Sequence, residues 1–145
     1  TMPRNPIDTP PTVAQITARL PAAWRDALTA LPTLYGPAGE VLAAARERLP
    51  DTPPIRNALT ALGALVATSS PHVDALHIDL ADLTGYHYQN GAIFAAFTAG
   101  EPDAIGNGGR YDGIGKAFGR ARPATGFTLD LRQLAGVIGR SGADT

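Results

Sequence analysis

The sequence predicts an α+β fold, with a helical segment followed by part of an antiparallel β-sheet with flanking helices. Three observations lead there. Apolar residues recur at helical spacing up to about residue 70. Past Pro71 the period shortens to two. The downstream runs are short, rich in aromatic residues and broken by glycines, which suits strands joined by turns. A length of 145 residues fits one domain. Within it we expect a lead-in over 1–11, a helical segment over 12–70 and a sheet-containing part over 71–145.

The lead-in carries four prolines and reads as extended. Four short helices are predicted at about 12–20, 22–31, 39–49 and 55–68. Trp24, Leu28 and Leu31 fall at i, i+4 and i+7 of the second, and Val41, Leu42, Ala45 and Leu49 stripe the third. Ile55, Leu59, Leu62 and Leu65/Val66 stripe the fourth, which Thr52-Pro53-Pro54 opens. Proline at a first helical position gives up only an amide hydrogen that has no intrahelical partner. Pro21, Pro32-Gly36-Pro37 and Pro50 punctuate the run.

Downstream, Leu76, Ile78 and Leu80 alternate with Ala75, His77 and Asp79, as in a strand with one buried face. Residues 86–97 read as a strand, long and kinked at Asn90-Gly91. Residues 106–115 pack five glycines into ten positions, and spacing alone favours a turn there. A helical turn is expected at 115–119, a strand at 124–130 and a closing helix at 131–140.

Composition narrows the function classes. Twelve Lys+Arg against 13 Asp+Glu leave a net charge of −1, which weighs against nucleic acid or an anionic membrane as partner. Eleven of those basic residues are Arg, so Lys116 is the single candidate for lysine chemistry. With no cysteine, disulfides, thiolates and Cys-type zinc sites drop out. No apolar run approaches the roughly 20 residues of a membrane helix, and the first residues carry no signal-peptide core. The expectation is a soluble, cytoplasmic protein.

Few residues point to catalysis. His77 and Asp79 share a strand face but lack a third ligand at suitable spacing, so no metal site is expected, and no cofactor. His72 has no partner motif, and His87, between Tyr86 and Tyr88, suits packing better than general-base work. Ser69, Ser70 and Ser141 lack a nucleophile elbow. Asp79 and Asp82 are neighbours at a strand end, and Arg120 and Arg122 read as a solvated loop or a partner-binding edge. The sharpest cluster is Arg110-Tyr111-Asp112 at the end of the glycine run: a cation, a phenol and a carboxylate able to grip a zwitterion.

Three blocks carry a family resemblance. Asn107-Gly-Gly-Arg-Tyr-Asp-Gly113, Pro123-Ala-Thr-Gly-Phe-Thr-Leu-Asp-Leu-Arg-Gln-Leu134 and Tyr86-His-Tyr-Gln-Asn-Gly-Ala-Ile-Phe94 resemble, in order, conserved segments of histidyl-tRNA synthetases. The resemblance implies part of a class II aminoacyl-tRNA synthetase-like sheet and a histidine site lined by Tyr88, Tyr111, Gly108 and Gly109, with Tyr86 and His87 as further candidates. It also aligns Thr84 and Gln133 with two arginines that the synthetases use on acyl-adenylate and ATP, and Asp130 with a small glycine near the triphosphate. Threonine and glutamine cannot supply a guanidinium's charge or its bidentate hydrogen bonds.

A synthetase-like chain without those arginines is similar to the regulatory subunits of ATP phosphoribosyltransferase, as are Phe94-Ala-Ala-Phe97 and Lys116-Ala-Phe-Gly-Arg-Ala-Arg-Pro-Ala-Thr-Gly-Phe127. That likeness implies no catalytic residue, histidine as effector, the short-form catalytic subunit as partner, and a homodimer or higher assembly within a hetero-oligomer. It also implies a C-terminal fragment of a longer protein, with hydrophobic surface exposed or paired with another copy. An active histidyl-tRNA synthetase fragment and a ligand-free structural remnant are the alternatives.

Overall fold

The computed structural model describes residues 12–84, 91–112, 119 and 123–141. It divides into two compact units, Thr1–Asp82 and Leu83–Thr145.

The first unit opens with a short helix, α1 (Val13–Thr17). Thr12 caps it through a reciprocal arrangement with Gln15, whose side chain accepts from the Thr12 amide while its own amide donates to Thr12. Helix α2 (Ala22–Ala30) follows Pro21. Its buried side is Ala27 and Ala30, while Trp24 remains 43% exposed. Of the predicted Trp24–Leu28–Leu31 stripe, Leu31 packs against the core and Leu28 is half-buried, and the stripe is corrected at Trp24, whose indole stays at the surface.

A 3-10 turn at Leu31–Thr33 leads into strand β1 (Tyr35–Pro37), helix α3 (Ala38–Arg48) and helix α4 (Pro53–Ser69). The two prolines expected ahead of α4 are its first helical residues. Strand β2 (His77–Asp79) pairs antiparallel with β1, with Gly36 opposite Ile78. Gly36 has φ +132°, a conformation that side-chain-bearing residues rarely adopt, so the bend into α3 requires glycine. The core gathers Leu34, Ala38, Val41, Leu42, Ala45, Leu59 and Ile78, with Leu62, Val66, Leu76 and Leu80 packed around it. The stripes expected on α3 and α4 and the alternation around Ile78 lie where the sequence puts them.

The second unit is a three-stranded antiparallel sheet in the order β3 (Ile93–Ala96), β4 (Gly106–Tyr111), β5 (Ala124–Leu129), followed by helix α5 (Leu131–Ser141). The strand expected over 86–97 is β3 within 93–96, and residues 85–90 lie outside the described residues. The glycine run corrects another expectation. Its first six residues form the central strand of the sheet rather than a turn. Glycine is needed there for close approach. A methyl group at Gly108 would meet the Gly126 carbonyl oxygen and, at 2.8 Å, the Cα and Cβ of Phe127. Mixed helices and antiparallel strands are the α+β class read from the sequence.

Candidate functional site

Side chains of residues paired directly across antiparallel strands share a face. The register sets Phe94, Gly108 and Phe127 in one row, and Ala96, Gly106 and Leu129 in the next row of the same face. Ile93, Gly109 and Gly126 form a row on the opposite face, followed by Ala95, Asn107 and Thr128. Tyr111 belongs to this second face and reaches across β4 and β5 so that its hydroxyl lies over Gly126, where a Cβ would stand. The tyrosine face thus combines a phenol, two adjacent positions without side chains, and the polar Asn107 and Thr128.

The structure separates residues that the sequence groups together. Arg110 and Tyr111 are consecutive on a strand, so they point to opposite faces. Arg110 Nε donates to both carboxylate oxygens of Asp112, at 3.0 and 3.1 Å. The three-residue grip on a zwitterion is therefore corrected: the cation and the carboxylate engage each other, and Tyr111 faces away from Arg110. Gly108 and Gly109 likewise fall on opposite faces, Gly109 with Tyr111 and Gly108 between the two phenylalanines. Tyr86, His87 and Tyr88 lie outside the described residues, as do Arg120 and Arg122.

Asn107 and Thr128 were not singled out by sequence reasoning. Counting back from Tyr111 in twos reaches Gly109 and Asn107, so strand alternation is the signal that finds the first of them.

Asp130 has a local role at the start of the closing helix. Its carboxylate accepts hydrogen bonds from the amides of Arg132 and Gln133, at 2.9 and 3.1 Å, and its carbonyl accepts from Leu134. It is the N-cap of α5, satisfying amides that have no intrahelical acceptor. Asp130→Ala is expected to cost about 1 kcal/mol, and Asp130→Asn much less, because Asn caps as well as Asp. Thermal denaturation followed over α5 by hydrogen exchange checks the order.

Gln133 is half-buried on α5, and its Oε1 is inaccessible to solvent with no hydrogen-bond partner among the described residues. Thr84 is exposed. His77 and Asp79 occupy exposed positions on β2, and Asp79 Oδ1 accepts from the Ala81 amide at 2.8 Å, which commits that carboxylate to a turn. His72 is exposed in a 3-10 turn, and Ser70 donates back to the Val66 carbonyl at the end of α4. Among the described residues, no three His, Cys, Asp or Glu side chains come together as a metal site, and no helix is long and apolar enough to cross a membrane.

Comparison with known proteins adds to this geometry. A family model described as histidyl-tRNA synthetase matches residues 9–134. An ATP phosphoribosyltransferase regulatory subunit of Ralstonia nicotianae is 56% identical over 127 residues, covering 88% of this chain and 32% of the relative. A protein of the same name from Nitrosomonas eutropha is 58% identical over 111 residues, covering 77% and 28%. Among solved structures, a protein from Bacillus halodurans described as an ATP phosphoribosyltransferase regulatory subunit/histidyl-tRNA synthetase superposes with a TM-score of 0.64 at 25% identity. That superposition covers 77% of this chain and 29% of the other. The chain therefore spans about a third of the length of the curated relatives it matches.

Proposed function

Because the chain belongs to the histidyl-tRNA synthetase family, we propose that it acts as part of a non-catalytic regulatory subunit of ATP phosphoribosyltransferase, with the tyrosine face of its sheet as a histidine-binding surface. The observation that carries this reading is the identity of 51–58% to proteins of that name. The synthetase fold is common to both functions, so function has to be argued from sites.

On the tyrosine face, the absence of a side chain at Gly126 lets the Tyr111 phenol lie against the strands, where it offers a ring and a hydroxyl to a bound amino acid. Asn107 and Thr128 supply an amide and a hydroxyl for the polar groups of an amino acid. Tyr86, His87, Tyr88 and the Gly108 backbone complete the proposed set. Thr84 and Gln133 provide no guanidinium for adenylate chemistry. Histidine regulates only if it binds the inhibited assembly with the short-form catalytic subunit more tightly than the active one.

The test replaces the matched segment of the Ralstonia nicotianae relative with this chain and mixes the product with the short-form catalytic subunit. Co-elution and histidine-sensitive phosphoribosyl transfer are expected, and Tyr111→Ala should raise the histidine concentration needed by about tenfold or more. Separate elution with no effect on transfer overturns the proposal. Histidine-dependent exchange of pyrophosphate into ATP would establish the synthetase reading instead.

A further inference from the structure

Arg110 sits beside the start of β3. Its amide donates to the Ala92 carbonyl at 3.0 Å, which extends the β3–β4 pairing one step beyond Ile93–Gly109. One further step in that register would set Gly91 opposite Tyr111, with its side-chain position on the tyrosine face. The chain does not continue that way. It bends at Gly91, and a Cβ there would stand 2.9, 3.2 and 3.1 Å from Cβ, Cγ and Cδ of Arg110. Arg110 belongs to the opposite face from Tyr111. At Gly91 the chain therefore departs from strand alternation and lies under the arginine stem.

The stem is itself held in place. Arg110 Nε donates to both carboxylate oxygens of Asp112, at 3.0 and 3.1 Å. The two side chains are 52% and 33% exposed, and an ion pair so open to water adds little stability by itself. What it does is select, for a side chain with many rotamers, the one whose three methylene carbons cover Gly91. We infer that Arg110 and Asp112 are a positioning pair that fixes the backbone at Gly91, and with it the histidine site, without touching the ligand. Two site residues flank this point: Tyr111 stands between Arg110 and Asp112 in the chain, and Tyr88 precedes Gly91 by three positions. Binding groups have to be held to within about 0.5 Å, which falls to neighbours that make no ligand contact. The effect on histidine rests on the proposed function, whereas the clamp on Gly91 rests on the geometry alone.

The test uses the hybrid Ralstonia nicotianae subunit, with histidine binding followed by calorimetry and backbone protection by amide exchange. Arg110→Met keeps an apolar stem and loses the guanidinium. It should raise the histidine dissociation constant by about tenfold. The residue-110 amide, which donates to Ala92, should exchange about tenfold faster, while Asn107 and Gly109 keep their protection. Asp112→Ala should act alike, and the double variant should cost no more than the costlier single change, because each breaks the same pair. Nε alone makes the two bonds to Asp112, so an ammonium can replace it, and Arg110→Lys should bind histidine within about threefold of the parent. If the parent hybrid binds histidine and Arg110→Met binds it equally well, the inference falls and the proposed function stands. If the parent binds none, the proposed function falls and takes the effect on histidine with it, and unchanged exchange at residue 110 in Arg110→Met then overturns the clamp as well. Additive costs in the double variant overturn the pairing of roles. Protection lost throughout β4 and β5 in both Arg110→Met and Arg110→Lys overturns the inference too, because Arg110 would then serve the stability of the whole sheet.

Discussion

Leu34→Ala is expected to lower the stability of the helical unit by about 2–5 kcal/mol. Leu34 is only 2% exposed and sits among Ala38, Val41, Leu42, Ala45, Leu59 and Ile78. Its backbone is tied on both sides, the amide donating to the Leu31 carbonyl and the carbonyl accepting from the Leu80 amide, both near 3 Å. The segment therefore cannot sink into the space that the lost methyls leave, and the cavity cost adds to the transfer cost. A small domain has roughly 5–15 kcal/mol in total, so this one change removes a large share. Leu65 offers the comparison. It is 49% exposed on α4, and its truncation to alanine should cost about 0.5 kcal/mol or less. Urea denaturation followed by far-ultraviolet circular dichroism separates the two, provided the slopes match. Equal midpoints for both variants would mean that the site around Leu34 collapses freely.

That core also shows where sequence reading works and where it stops. Helices α3 and α4 are legible because their burial repeats every three or four residues, and the prolines at 53 and 54 mark the start of α4 from local chemistry alone. Strand β1 is not legible in the same way. Three residues containing Gly36 and Pro37 read as punctuation, and only the pairing with β2 some forty residues later makes them a strand and Leu34 a core residue. The glycines of β4 mislead for the same reason. Their local preference is for turns, yet their conformation is settled by the bulk of Phe127 and Leu129 on β5. At the candidate site the residue types of Arg110, Tyr111 and Asp112 are legible, but their faces follow only once the segment is known to be a strand. Period-two alternation then splits Tyr111 from Arg110 and brings Asn107 beside it.

Gly108→Ala puts that long-range dependence to the test and is expected to destabilise the sheet of the second unit by about 1–3 kcal/mol. The added methyl would meet the Gly126 carbonyl oxygen and the Phe127 Cα. These are backbone atoms of the neighbouring strand and cannot rotate aside, so β5 must move away from β4 and stretch a register that runs from Gly106–Leu129 to Tyr111–Ala124. Two other glycines separate this effect from a general cost of adding a side chain. At Gly63 on α4 the nearest atoms are the Arg46 guanidinium at 3.7 Å and Leu42 Cδ1 at 4.0 Å, ordinary contacts, so alanine there should be neutral or stabilising by up to about 1 kcal/mol. At Gly126 the obstacle is the Tyr111 hydroxyl, the far end of a side chain that can turn. Gly126→Ala should therefore displace the phenol while sparing most of the sheet. Amide hydrogen exchange is the measurement, because it reads each unit separately. Protection of β4 and β5 should fall by about tenfold to a hundredfold in Gly108→Ala and stay unchanged in α3 and α4. If Gly108→Ala protects its strands as well as the parent does, the spacing between β4 and β5 relaxes without cost, and close approach is not what selects glycine at the centre of this sheet.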